Sequence, residues 1–78
     1  MPTVLREGPY RLFFYSADGI EPPNVHVERD FKVGKFWLDP VRMQSSGGLN
    51  RAEIRRIARM VEAHQPALIE AWYEYFDN

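Results

Sequence analysis

Apolar and polar positions alternate along Val25-His26-Val27-Glu28. The two valines therefore lie on one side of an extended segment, and the imidazole and carboxylate on the other. Pro22-Pro23 precede this segment. Proline fixes φ and disfavours helix in the residue before it, so Glu21 and Pro22 are held extended. Tyr10 to Tyr15 is the strongest strand signal, aromatic or aliphatic except for Arg11. Its unbroken run Leu12-Phe13-Phe14-Tyr15 predicts a strand covered on both faces, or one whose polar-tipped aromatic meets water. Thr3 to Arg6 forms a first short strand, and Glu7-Gly8-Pro9 a turn. Ser16-Ala17-Asp18-Gly19 reads as another turn, and Ile20 to Asn24 as an extended connector. Val25–Arg29 and Lys35–Leu38 pair as a hairpin, which Asp39-Pro40 ends. A loop follows, through Ser45-Ser46-Gly47-Gly48.

The spacing then becomes helical. Asn50 can cap a helix, with Glu53 reaching back to the Asn50 N–H as in a capping box and Leu49 placed to staple against Ile54. Ile54, Ile57, Ala58 and Val61 form an apolar stripe that continues in phase through Leu68, Ile69, Trp72, Tyr75 and Phe76. Pro66 interrupts it, giving one kinked helix or two; two helices with a short break fit better. The expected architecture is α+β, one domain over residues 1–78, with a β-rich part at 1–44 and a helical part at 49–78. A small antiparallel sheet of three or four strands carries one or two C-terminal helices on one face.

Composition narrows the picture. A chain of 78 residues builds one small core, to which eleven aromatics contribute large area. No cysteine is present, so disulfides, thiolate metal sites and a cysteine nucleophile are excluded, which favours a cytoplasmic protein. No stretch suits a membrane span or a signal peptide. The net charge of −1 argues against general nucleic-acid binding, but its distribution is polarised. Residues 50–60 carry four arginines against Glu53, a local +3, whereas 61–78 carry Glu62, Glu70, Glu74 and Asp77 with no basic residue, a local −4.

Five segments occur in the order found in a bacterial family. They are Met1-Pro2-Thr3-Val4-Leu5-Arg6, the strand Tyr10 to Ser16, Glu21-Pro22-Pro23-Asn24-Val25-His26-Val27, Lys35-Phe36-Trp37-Leu38-Asp39-Pro40-Val41 and Glu70-Ala71-Trp72-Tyr73-Glu74-Tyr75-Phe76. Across nearly its whole length the chain resembles domain-of-unknown-function family 4160. The resemblance implies a small standalone prokaryotic α+β protein. It also implies a partner encoded by a neighbouring gene, in a regulatory or toxin–antitoxin-like pair. It brings no established activity. The family has His-Val-His after the prolines, whereas Asn24 stands first here, so His26 carries over and the paired histidine does not. If that pair binds metal in relatives, this chain has lost a strong ligand.

Three groups of residues are candidates for chemistry. Asn24, His26 and Glu28 fall on one strand face, with Asp18 or Lys35 supplied from neighbouring segments. Imidazole titrates near neutral pH and, oriented by a carboxylate, can serve as a general base, so His26, Glu28 and Asp18 are the catalytic candidates. The structural alternative is a solvent-facing or hydrogen-bonded strand histidine, with the prolines simply setting register. Metal and cofactor are not expected, because one histidine and scattered carboxylates fall short of a ligand set.

Arg51, Arg55 and Arg59 recur every four residues on one helix face. With Lys35 they are the candidate anion-binding or partner-binding set, for nucleic acid or an acidic protein. The alternative is a solvated face with Arg59 paired to Glu62. The acidic, aromatic terminus is either core or interface, and its charge would let two copies pair as an antiparallel homodimer. The expected function is a noncatalytic interaction or regulatory module. A small nuclease or hydrolase using His26 is the alternative.

Overall fold

The computed structural model describes residues 3–76. Met1-Pro2 of the family-like opening and the Asp77 charge lie outside the described residues. Five strands, β1 (Thr3–Glu7), β2 (Tyr10–Phe13), β3 (Asn24–Arg29), β4 (Lys32–Leu38) and β5 (Val41–Ser45), form one antiparallel sheet in chain order. Helices α1 (Arg51–Ala63) and α2 (Gln65–Phe76) follow. The chain is α+β as expected, but its sheet has five strands rather than three or four.

The extra strand is β5, where the sequence predicts a loop. Asp39-Pro40 does not end the pairing. With a cis peptide bond it makes a two-residue turn that sets Leu38 opposite Val41. The other tight hairpins need a positive φ at the first turn position. Gly8 supplies it before Pro9 (φ 57°), and Asp30 before Phe31 (φ 56°). β4 also begins earlier than expected, at Lys32. Between β2 and β3 the expected turn is a short 3-10 helix, Ser16–Ile20, and the expected extended connector is shorter and bent: Ile20 ends that helix, Glu21-Pro22-Pro23 bend, and Asn24 already belongs to β3.

Alternation sorts the strands into two faces. Leu12, Phe14, Val25, Val27, Phe36 and Leu38 join Ile57, Met60, Val61, Leu68 and Trp72 in a single buried core. The helices therefore cover the inner face of the sheet. Leu12, Phe13 and Phe14 are all buried, so β2 and the residue after it are covered on both sides. The helix break falls at His64. Pro66 occupies the first turn of α2, where its missing N–H costs nothing.

Asn50 caps α1 through the predicted reciprocal pair. Its side chain accepts from the Glu53 N–H at 2.8 Å, and the Glu53 carboxylate accepts from the Asn50 N–H at 3.5 Å. Glu53 also holds Arg29 of β3, which joins helix to sheet. The hydrogen bond from Arg29, aided by the Asn50 N–H, lowers the Glu53 carboxyl below its ordinary value of 4.5. Arg29 is correspondingly raised. A carboxyl that titrates lower when folded adds stability above its unfolded pKa, and that stability fades as pH falls through the folded value. Urea melts of wild type and Glu53→Gln should therefore differ at pH 7. Their midpoints should converge as the pH drops below about 4.

Candidate functional site

The strand row predicted at Asn24, His26 and Glu28 exists, on the sheet face away from the helices. Period two puts these residues opposite Val25 and Val27, which enter the core. In register across the sheet, His26 lies between Phe13 of β2 and Lys35 of β4. The face is not open. The segment from Tyr15 to Pro23 folds down over it and buries His26 to 8% exposure.

His26 Nε2 lies 2.7 Å from Asp18 Oδ2 of the 3-10 helix. Its ring stacks on Phe13 (centroids 5.5 Å, planes 25° apart) and meets Tyr15 edge-on at 4.4 Å. Lys35 donates to Glu21 at 2.7 Å and lies 5.0 Å from the centre of the Trp37 ring. The Asn24 amide donates to Glu21 Oε1 at 3.3 Å and to the Pro22 carbonyl at 3.0 Å. The Leu38 N–H donates to the Pro23 carbonyl at 3.0 Å. Five polar contacts thus fasten the diproline segment and the 3-10 helix to the sheet.

This geometry divides the catalytic candidates. His26 and Asp18 are brought together. Glu28 is not part of that pair: it accepts from Arg11 Nε at 2.8 Å, and Arg11 also lies 4.2 Å from the centre of the Phe13 ring. Lys35 leaves the anion-binding set, because Glu21 neutralises it and it belongs to the outer face. Asn24 is buried at the start of β3, and both its amide contacts are acceptors, which fixes its orientation. Its Oδ1 has no partner among the described residues. Among the described residues, no three His, Asp or Glu side chains converge to hold a metal ion.

The arginine set lies across the sheet from this row. α1 turns Ile57, Met60 and Val61 into the core and leaves Arg51, Arg55, Arg56 and Arg59 exposed. Among the described residues none of the four meets a carboxylate, and the anticipated Arg59–Glu62 pair is not formed. By contrast, Arg11, Arg29 and Lys35 each have an acidic partner. Positive charge in the first turns also opposes the helix dipole. The sheet separates His26 from Arg51 and Arg55, so these arginines cannot clamp an anion held at the imidazole.

Sequence reasoning missed one contributor, Glu21, and one contact, that of Arg56, which stands beside the arginine row. Glu21 anchors both Asn24 and Lys35, and only its place before the prolines hinted at it. Arg56 flanks a groove between the β1–β2 turn and α1, and its Nη1 donates to the Tyr10 hydroxyl at 3.5 Å. That contact joins residues 46 positions apart, beyond any local pattern.

Fold and surfaces together define a small α+β domain, a five-stranded antiparallel meander with a fastened outer face and a cationic first helix. The chain belongs to the family described as a domain of unknown function (DUF4160), whose model matches residues 10–73. The match runs from the start of β2 into α2, and so includes both the outer-face row and the arginine helix. No curated protein and no solved structure matched the chain. No helix among the described residues is long and apolar enough to cross a membrane.

Proposed function

We propose that this chain is a noncatalytic interaction module that grips an acidic partner protein through Arg51, Arg55 and Arg59. In this reading it is a cytoplasmic component of a bacterial two-gene regulatory or toxin–antitoxin-like pair, and its partner is encoded by the neighbouring gene. One observation carries the reading. The α1 arginines are exposed and without carboxylate partners among the described residues, and four of them lie along one helix, whereas the other exposed, unpaired basic residues, Arg6, Lys32 and Arg42, are scattered over three strands. A concentrated unneutralised charge steers an oppositely charged surface and helps fix its register. The net charge of −1 favours a protein over nucleic acid as the source of that surface.

The test is co-purification with the product of the adjacent gene. Capture should weaken with salt, and Arg51→Glu/Arg55→Glu should reduce it by about tenfold or more. Absence of capture, or capture that ignores the reversal, overturns the reading. A shift of RNA or DNA at low salt, lost in the same variant, would transfer the surface to nucleic acid.

The 2.7 Å contact between His26 and Asp18 favours a second reading, a small nuclease or hydrolase. Such a dyad resembles an oriented general base. Here, however, Nε2 already faces the carboxylate and the ring is packed between aromatics. Under the module reading, His26→Ala loosens residues 15–23, seen as faster amide exchange, and leaves partner capture unchanged. Hydrolysis by the wild type that disappears in His26→Ala would reverse this preference.

A further inference from the structure

The groove beside α1 has a cavity volume of about 410 Å³, with Pro9, Tyr10, Met60 and Ala63 among its walls. Arg56 and Arg59, three residues apart on the helix, stand at its edge. The nearby acid, Glu7, is matched by His64 at 3.0 Å. The groove therefore offers an apolar floor beside two guanidinium groups that face no carboxylate among the described residues. Its chemistry suits an aromatic side chain flanked by carboxylates one helical turn apart.

Helix α2 displays such an arrangement. Tyr73 is 56% exposed, although it stands next to the buried Trp72. Glu70 neighbours both Tyr73, three residues on, and Glu74, four residues on, and all three are exposed, so they form one patch centred on Glu70. Neither glutamate forms an ion pair among the described residues. The two helices of one chain thus carry complementary halves of one contact, and within the chain those halves do not meet.

We propose that a second copy of this chain fills the groove. Tyr73 of each copy enters the apolar cleft of another, and Glu70 and Glu74 face Arg56 and Arg59. A two-fold arrangement makes the contact twice with the same residues, the usual way a soluble chain closes on itself. Self-association does not depend on the acidic-partner reading, but both would compete for Arg59.

Sedimentation equilibrium on the full chain, from micromolar to about 500 µM at low salt, tests this directly. Wild type should self-associate, more weakly as salt rises. Tyr73→Ala should raise the dissociation constant about tenfold or more, as loss of a central aromatic anchor does. Arg56→Glu/Arg59→Glu and Glu70→Lys/Glu74→Lys should each be monomeric. Mixing these two variants should restore association, because every contact then pairs opposite charges. Circular dichroism confirms that both variants fold, and recovery on mixing cannot come from misfolded chains. Wild type that stays monomeric throughout, or association indifferent to both reversals, overturns the proposal. So does failure of the mixture to recover.

Discussion

Gly47→Ala is expected to cost about 3 kcal/mol or more, enough to leave much of the chain unfolded at room temperature. Two effects act together. Gly47 has φ 60°, a left-handed conformation that costs an L-residue about 1–2 kcal/mol. A methyl group there would also overlap the carbonyl carbon and oxygen of Val33, which are backbone atoms of β4 and cannot rotate away. The turn would have to lift from the sheet, disturbing Leu49 in the core and the Asn50 cap behind it. Gly8→Ala separates the two effects. Gly8 has a similar φ of 57°, but nothing lies near a methyl group there, so only about 1–2 kcal/mol should be lost. Urea midpoints of the two variants check the difference, and equal losses would remove the backbone overlap as a cause.

Phe14→Ala should destabilise by about 3–5 kcal/mol, as large-to-small aromatic substitutions in cores do. Phe14 is fully buried where the sheet meets α2. Its ring meets Trp72 edge-on at 5.4 Å and lies 6.0 Å from Tyr75 and 6.2 Å from Phe76. Truncation would leave a void under the last turns of α2 and remove the ring that three aromatics pack against. In a domain of this size the loss corresponds to a melting temperature lower by about 15–30 °C. Thermal melts followed by circular dichroism measure it. Phe14→Leu, which fills most of the space, should keep at least half of the lost stability.

The elements that follow local rules were readable in the sequence. Asn50 and Glu53 announced a helix start that forms with both reciprocal hydrogen bonds. Pro66 marked the break between helices, and alternation placed His26 opposite Val25 and Val27. β5 is not legible because Asp39-Pro40 reads as a terminator, although Val41 and Met43 alternate with Arg42 and Gln44. Short, largely exposed edge strands carry a weak hydrophobic signal. Around His26 the row was readable but its cover was not. The contact with Asp18 depends on how a turn folds back over the sheet, which no local periodicity encodes. Likewise, the helical repeat revealed the arginine face. The groove beside Arg56 required knowing that the β1–β2 turn lies against α1.

The two tryptophans occupy opposite sides of the sheet, so the molecule contains two optical reporters with separate duties. Trp72 points from α2 into the core, and its emission should shift red only when the core opens. Trp37 sits half-buried on the outer side under the Lys35 ammonium, where lifting of the diproline segment would alter its surroundings first. Trp37→Phe and Trp72→Phe, read in parallel, would distinguish local detachment of that cover from loss of the whole fold.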